Sequence, residues 1–263
     1  IEHYLSGLKN PNTCQFHILL VGPKGVGKSE FARQNLKRFA NRSSSWHEIN
    51  CATIKSIEGF YEHVYVPYIR NKEVTMFFDE AHNLPEDVSN LFCTIFNNER
   101  GHTRKIQGGD GKDYEFDFLK HTFVFATTQP DKLYDPFQER LSEIYFTDYT
   151  TDELEEIIKS ECEKTIILEE GVPLALAERC QNPRQAVKLS KQIQAYMHKR
   201  AENVFKQDHI DGFFDIFEIY PLGLGPSELR YLKILNRGPA LLKELAFKTD
   251  ENKTVLLYET EKS

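Results

Sequence analysis

The clearest signal in the chain is one glycine-rich segment: Gly22-Pro23-Lys24-Gly25-Val26-Gly27-Lys28-Ser29. It matches the pattern G-x-x-x-x-G-K-[ST], in which glycines let the backbone curl so that its N–H groups point at phosphate oxygens. Lys28 is the lysine that reaches the β- and γ-phosphates, and the hydroxyl of Ser29 is a ligand for Mg²⁺. We therefore predict that all eight residues bind ATP together with Mg²⁺.

The residues on both sides of this loop have the patterns that a phosphate site requires. Residues 16–21 form an apolar run, which is typical of a buried parallel strand. From residue 28 to about residue 40 the apolar residues recur with helical spacing. A helix that begins here presents its positive N-terminal end to the phosphates. The motif is thus predicted to lie between a strand and a helix.

Two further apolar runs indicate more strands of the same sheet. One covers residues 74–78 and ends at Asp79, and the other covers residues 122–127. Helical patterns lie between them, near 54–70 and 85–97. Strands that alternate with helices are typical of an α/β fold with a parallel sheet.

Two acidic residues, Asp79 and Glu80, follow the second apolar run. An aspartate in this position holds Mg²⁺ through water, and the adjacent glutamate polarises the attacking water. Acidic residues after a strand are otherwise often a solvated helix start, but the phosphate loop earlier in the chain favours the catalytic role. We expect His82, two residues later, to be a packing or helix-end residue rather than a ligand.

Three other polar residues complete the predicted site. Thr128 follows the third run and is expected between the attacking water and the γ-phosphate, with Thr127 as the second choice. Arg140 follows a short linker, and an arginine supplied in trans raises the rate of phosphoryl transfer by roughly 10³–10⁵. Arg184 lies in the first turn of a predicted helix, where a cation is mildly unfavourable, and this favours a role toward the nucleotide. The alternatives are an ordinary strand-end threonine and two surface arginines.

Residues 101–118 interrupt the alternation of strands and helices. Tyr114, Phe116 and Phe118 alternate with acidic residues, and a glycine-rich turn precedes them. This pattern predicts a β-hairpin over 103–118, inserted before the third strand.

The second half of the chain changes to helical patterns after Phe146. Thr150 or Thr151 starts a helix, and further helices are predicted near 170–180 and 183–200. These patterns indicate a small all-helical domain.

The last part of the chain begins with a linker over 221–227. Helices are predicted at 227–236 and 239–247, and the apolar residues 254–258 follow them. Two short helices joined by a turn indicate the start of a winged helix. We therefore predict three domains: a large P-loop domain over 1–147, a small helical lid over 148–205, and a linker with a partial winged helix over 206–263.

The composition limits the function classes. The formal net charge is −7, whereas proteins that cover nucleic acid with their whole surface are usually basic. A motor that touches DNA with a few residues per subunit remains compatible with this charge. No window approaches ~18 apolar residues, so no membrane span is expected, and the first residues lack a secretory pattern. The five cysteines form no C-x-x-C pair, which predicts reduced thiols in a cytoplasmic protein.

These motifs, in this order, resemble the AAA+ superfamily, and in detail the RuvB family of Holliday-junction branch-migration motors. The matching segments are the phosphate loop, Asp79-Glu80-Ala81-His82-Asn83-Leu84, the hairpin, Ala126-Thr127-Thr128, Pro136-Phe137-Gln138-Glu139-Arg140-Leu141 and Asn182-Pro183-Arg184. The resemblance implies an ATPase with an inserted hairpin, a helical lid and a winged helix. It also implies that Arg140 is the arginine finger inserted into a neighbour's site and that Arg184 is the second sensor.

The resemblance further implies a homo-oligomeric, hexameric ring on DNA, with a partner protein or DNA near the hairpin at 103–118. The chain departs from the family pattern at Gln129 and Gln138, where arginine is usual, and its hairpin tip is polar, whereas the hairpin of RuvB docks RuvA through apolar contacts. A divergent relative, such as a phage or mobile-element motor, fits these departures. Three functions remain open: a DNA-translocating motor, a clamp-loader-like or helicase-loader-like switch, and a remodeller or passive ATP-binding module.

Overall fold

The structure is a computed structural model, and it describes residues 17–36, 45–97 and 102–249. The chain divides into two compact units, Ile1–Thr147 and Asp148–Ser263. The first unit contains the sheet and the hairpin, and the second is mainly helical. The division of the second unit into a lid and a winged-helix segment stays a prediction.

A parallel sheet organises the first unit. The described strands are β1 (Ile18–Val21), β2 (Ser45–Asn50), β3 (Val74–Asp79), β4 (Thr103–Gln107), β5 (Asp113–Asp117), β6 (His121–Thr127) and β7 (Ser142–Tyr145). Five of them form one sheet in the order β2-β3-β6-β1-β7, with every pair parallel. The predicted α/β class is therefore confirmed. Because parallel strands end at the same edge, β1, β3 and β6 bring the phosphate loop, Asp79 and Thr127 together there.

Two strands of this sheet were not predicted, and both lie at its edges. β2 contains no fully buried residue, and in β7 only Ile144 is buried. An edge strand is partly solvated, so it lacks the continuous apolar run that identifies a central strand of a parallel sheet.

The α-helices of the first unit pack on both faces of the sheet. They are α1 (Lys28–Phe31), α2 (Ile57–Phe60), α3 (Glu86–Ile95) and α4 (Asp135–Gln138). α1 and α2 continue as π-helical turns, Ala32–Leu36 and Tyr61–Ile69. The predicted extension of the first helix to about residue 40 lies outside the described residues.

Phenylalanines fill the space between the central strands and α3. Phe78 in β3 and Phe123 and Phe125 in β6 are completely buried. The ring of Phe92 lies against all three, with centroid distances of 5.4, 5.9 and 5.1 Å. Burial of one such side chain contributes about 1.5–3 kcal/mol. This cluster therefore stabilises the two strands whose ends carry predicted site residues.

β4 and β5 form the predicted hairpin, in antiparallel register. Its apolar face is buried, because the ring of Tyr114 stacks on Tyr61 at a centroid distance of 3.6 Å. The hydroxyl of Tyr65 donates to the carbonyl of Glu115 at 2.9 Å and accepts from the N–H of the same residue at 2.8 Å. The hairpin is thus anchored on the π-helical turn after α2.

The second unit contains six α-helices and two short strands among its described residues. They are α5 (Thr151–Cys162), β8 (Ile167–Leu168), α6 (Val172–Ala177), α7 (Pro183–Arg200), β9 (Val204–Phe205), α8 (Ile210–Phe217), α9 (Pro226–Leu235) and α10 (Leu242–Thr249). The predicted cap is present, since Thr150 and Glu153 bond reciprocally at the start of α5. The prediction of an all-helical domain was wrong in one respect, because β8 and β9 form a small parallel sheet. Strands of two residues are too short for alternation to be visible in a sequence.

α9 and α10 pack against each other near the end of the described chain. Tyr231 and Leu245 are buried where they meet. These two helices correspond to the pair predicted at 227–236 and 239–247. The winged helix itself stays a prediction, because residues 254–258 lie outside the described residues.

The longest helix of the described chain is α7, with 18 residues. Lysine and arginine residues recur along it. Neither α7 nor any other helix within the described ranges combines the length and the apolar content that crossing a membrane would require.

Candidate nucleotide-binding and hydrolysis site

The phosphate loop begins where β1 ends and closes against the residue after β7. A Cβ atom at Gly22 would lie 2.7 Å from the carbonyl oxygen of Phe146, so only glycine fits there. Gly27 has a φ of 90°, a conformation that glycine adopts without strain, and α1 starts directly after it. Gly22 is thus required by the close approach of Phe146, and Gly27 is required by its backbone conformation.

Lys28 is the first residue of α1, and it is only 7% exposed. Its ammonium group donates to the carbonyl oxygens of Gly22 and Pro23, at 2.6 and 2.7 Å. A buried charge needs such partners because its desolvation is costly. The loop therefore encloses a positive charge, an environment that fits the phosphate groups of a nucleotide.

Ser29 and Asp79 meet at the carboxyl edge of the sheet. The hydroxyl of Ser29 donates to Oδ2 of Asp79 at 3.1 Å, and Oδ1 of Asp79 accepts from the N–H of Glu80 at 3.0 Å. Mg²⁺ prefers oxygen ligands and takes only one or two from the protein, together with phosphate oxygens and water. A hydroxyl beside a carboxylate fits this preference, so the two residues present are suited to a nucleotide-bound Mg²⁺ ion.

Glu80 lies beside Thr128, the threonine that the sequence pattern favoured. Oγ1 of Thr128 donates to Oε2 of Glu80 at 3.1 Å. The side chain of Glu80 is 34% exposed, so water has access to its carboxylate. The hydroxyl of Thr127, by contrast, is completely buried and accepts from the N–H of Gln129 at 3.1 Å. Thr128 is therefore the threonine that faces the predicted catalytic carboxylate.

His82 has polar contacts that the sequence pattern did not lead us to expect. Its Nδ1 lies 3.0 Å from Oγ1 of Thr127 and 3.5 Å from Oε2 of Glu80. Burial lowers the pKa of His82, which favours the neutral ring. The imidazole thus connects the end of β6 with the residue after β3. The only signal for this contact in the sequence was the spacing of two residues between Glu80 and His82.

Arg140 is in the connection between α4 and β7. Its guanidinium group donates to the carbonyl of Pro136, and its Nε is buried without a hydrogen-bond partner among the described residues. Burial raises the pKa of the Cys93 thiol in α3, and the positive charge of Arg140 opposes that shift. Arg140 forms no hydrogen bond with the phosphate loop or with Glu80 of its own chain within the described residues.

Arg184 is in the second unit, at the second position of α7. The helix begins after Asn182, whose side chain accepts from the N–H of Gln185 at 3.1 Å. Arg184 is exposed. Its predicted role as a second sensor stays a prediction.

Comparison with known proteins supports the assignment of this cluster as a nucleotide-binding site. Residues 17–142 match the model of the AAA domain, dynein-related subfamily. The chain is 25% identical over 244 residues to the Holliday junction branch migration complex subunit RuvB of Campylobacter hominis, and the match covers 89% of this chain and 68% of the relative. It is 27% identical over 239 residues to RuvB of Pseudothermotoga lettingae, with coverage of 88% and 67%.

Solved structures of RuvB from Thermotoga maritima have the same fold. One, a variant, has a TM-score of 0.80 at 22% identity and another has 0.78 at 23%; each match covers 99% of this chain, and 83% and 84% of the solved chains. At this identity the likeness concerns the fold, and it confirms the predicted AAA+ core. Together with the matched domain and the RuvB relatives, this likeness supports a divergent, RuvB-like AAA+ ATPase.

Proposed function

We propose that this chain is the subunit of an ATP-dependent DNA motor, which hydrolyses ATP at the subunit interfaces of a hexameric ring and drives branch migration or translocation on DNA. The main support is the cluster at the carboxyl edge of the sheet. There the Ser29–Asp79 and Thr128–Glu80 pairs share one edge with the enclosed ammonium group of Lys28. The DNA part of the proposal comes from the relatives, whose names specify Holliday junction branch migration. We expect the protein to act in the cytoplasm.

In this mechanism each polar residue of the cluster has one task. The backbone N–H groups and the lysine of the loop, residues 22–29, hold the β- and γ-phosphates of ATP. Ser29, and Asp79 through water, would hold Mg²⁺, which would neutralise charge on the phosphate oxygens. Glu80 orients the attacking water and accepts its proton. Thr128 donates its hydroxyl hydrogen to the carboxylate of Glu80 and so keeps it in position, and its oxygen accepts from the attacking water beside the γ-phosphate.

A second cation, supplied by the neighbouring subunit, completes the site. A guanidinium group suits the charge that spreads over the phosphate oxygens, and it is worth roughly 10³–10⁵ in rate. Within the described residues, Arg140 donates to the carbonyl of Pro136 and bonds to no residue of the cluster in its own chain. We infer that Arg140 acts on ATP bound to the next subunit, and that Arg184 acts as the second sensor.

A clamp-loader-like or helicase-loader-like switch is the second candidate, and the surface of the hairpin favours it. The exposed face of the hairpin carries the ion pairs Lys105–Glu115 and Lys112–Asp110, at 3.1 and 2.9 Å. Its large apolar side chains are turned toward the core. A partner that docks on residues 103–118 would therefore make polar contacts, unlike the apolar contacts by which RuvA meets RuvB.

Measurements of ATP turnover with defined DNAs separate the two candidates. For the motor, duplex or four-way-junction DNA alone should raise turnover, and the junction should be converted to duplex products only when ATP is present. For the loader, turnover should rise only after a partner protein is added. Lys28→Ala serves as the control, because it should abolish tight ATP binding. A ring that assembles but shows neither DNA stimulation nor junction conversion would rule out the motor.

A further inference from the structure

The exposed face of α7 is basic and carries no carboxylate. Over Pro183–Arg200 the helix carries five lysine and arginine residues and no aspartate or glutamate. At about 100° per residue, one sector of roughly 100° contains all the exposed positions between its first turn and Lys199. Beyond Arg184, which is assigned to the nucleotide, these exposed positions are Lys188, Lys191, Ala195, His198 and Lys199. The opposite side of the helix is buried and includes Ile193 and Met197.

This basic face stands out against the rest of its own unit. The preceding segment, residues 148–182, has ten acidic residues and only three basic ones. The formal net charge of −7 therefore conceals a strong separation of charge along the second unit. A separated positive face attracts polyanions even when the whole protein is acidic.

Three lysines of this face are not committed to carboxylates. Elsewhere in the unit, Lys159 pairs with Glu155 at 2.7 Å and Arg200 pairs with Glu202 at 3.3 Å. Within the described part of the chain no such ion pair involves Lys188, Lys191 or Lys199. Their ammonium groups can therefore bind an external anion without first breaking an internal ion pair.

We propose that Lys188, Lys191 and Lys199 contact the phosphate backbone of DNA. The three positions span about 16 Å along the helix at ~1.5 Å per residue, a length over which a DNA duplex presents several phosphates. The proposal rests on the proposed function for the presence of DNA, and it adds which surface of the second unit meets the duplex.

The chemistry of this face favours phosphates over a protein partner. The cores of protein–protein interfaces are rich in aromatic residues and depleted of lysine. On the basic face the only exposed apolar residue is Ala195. A straight row of lysines without an apolar anchor is suited to sequence-independent contact with a charged backbone.

The test is the salt dependence of DNA binding by a triple variant, Lys188→Gln with Lys191→Gln and Lys199→Gln. Binding of the whole ring to a fluorescent duplex is measured by anisotropy between 50 and 200 mM salt. Each lost phosphate contact should lower the slope of log K against log salt by about 0.9, so we expect a decrease of about 2.7 for each bound subunit. Affinity near 0.15 M salt should fall on the order of 100-fold. ATP turnover without DNA should not change.

A control variant removes the same charge from residues that are already paired and lie outside the hairpin and α7: Arg33→Gln, Lys120→Gln and Lys159→Gln. This control should keep the wild-type slope. If it loses as much affinity as the basic-face variant, only net charge matters and the surface assignment is wrong.

Further outcomes distinguish an error in the assigned DNA-contacting surface from an error in the proposed function. If wild-type protein binds duplex DNA and the basic-face variant keeps its slope, the surface is wrong and the motor proposal stands. If that variant keeps its slope but sedimentation shows loss of the ring, α7 contacts a second copy of the chain instead of DNA. Failure of the wild-type ring to bind DNA at all would overturn the proposed function itself.

Discussion

Glu80 has a left-handed backbone conformation, with φ of 54° and ψ of 50°. For a residue with a side chain this conformation costs on the order of 1 kcal/mol or more, so the surrounding contacts must maintain it. Asp79 accepts from its N–H at 3.0 Å, and Thr128 donates to its carboxylate at 3.1 Å. The carboxylate is thus positioned by contacts at both ends of the residue.

Replacing Glu80 by glutamine should separate ATP binding from hydrolysis. Glutamine keeps an oxygen that accepts from Thr128, but it cannot take a proton from water. We expect ATP affinity near the wild-type value and turnover lower by roughly 10²–10⁴, measured by calorimetry and by phosphate release. Glu62→Gln, at an exposed position after α2, is the control. Wild-type turnover in Glu80→Gln would remove Glu80 from the mechanism.

His17 makes the stability of the first unit depend on pH. Its ring stacks on Phe96 at 3.6 Å, and its Nδ1 has no hydrogen-bond partner among the described residues. Burial lowers its pKa from 6.5 to about 3. Below pH 6.5 the unfolded chain therefore binds a proton that the folded chain does not. This contribution to stability is complete above that pH, and it is lost progressively as the pH falls toward 3.

The variant His17→Phe should remove this pH dependence. Between about pH 6 and pH 4, the free energy of unfolding of the wild-type protein should fall by roughly 1.4 kcal/mol per pH unit more than that of the variant. Trp46 is the only tryptophan, and it lies in β2. Its fluorescence therefore reports denaturant unfolding of the first unit. Parallel curves of stability against pH would contradict the assignment.

At the scale of elements, one hydroxyl group joins the hairpin to the helical layer. Tyr65 bonds both backbone groups of Glu115, while Tyr61 and Tyr114 stack beside it. The hairpin is therefore held through its backbone, which bonds to a side chain of the π-helical turn after α2. Such an arrangement holds the hairpin at a fixed place although its tip is polar.

Tyr65→Phe should loosen the hairpin without disturbing the phosphate loop. The change removes two hydrogen bonds, each worth about 0.5–1.5 kcal/mol, and leaves the ring in place. Hydrogen exchange at the amide of Glu115 should speed up, with ATP affinity unchanged. Tyr68→Phe is the matched control, since the hydroxyl of Tyr68 has no hydrogen bond among the described residues. Equal exchange rates in the two variants would contradict the anchoring role.

At the scale of the whole molecule, the proposed site is complete only when two subunits meet. Arg140→Ala should bind ATP but not hydrolyse it, and Lys28→Ala should fail to bind it. In an equimolar mixture, about a quarter of the interfaces of a cyclic ring combine an intact phosphate loop with an intact Arg140. Turnover should therefore reappear on mixing two inactive proteins. A mixture that stays inactive, although sedimentation shows mixed rings, would count against the trans geometry.

The sequence by itself determined the features that depend on neighbours along the chain. The glycine pattern of residues 22–29, the acidic pair after the second apolar run and the alternating aromatic residues of the hairpin are all local. Each reflects the conformation or solvent exposure of a few consecutive residues, and this is what a sequence pattern records. The edge strands β2 and β7 were missed because they are partly exposed and therefore lack the continuous apolar run of a buried strand.

Only the tertiary structure decided which side chains meet. The bonds Ser29–Asp79, Thr128–Glu80 and His82–Thr127 join residues 50, 48 and 45 positions apart. Their distances depend on the register of β3, β6 and β1, and a shift of one residue in a strand turns every side chain to the other face. Local patterns favour Thr128 over Thr127, but they do not show which side chain each threonine meets. The register makes Thr128 the partner of Glu80 and Thr127 the partner of His82.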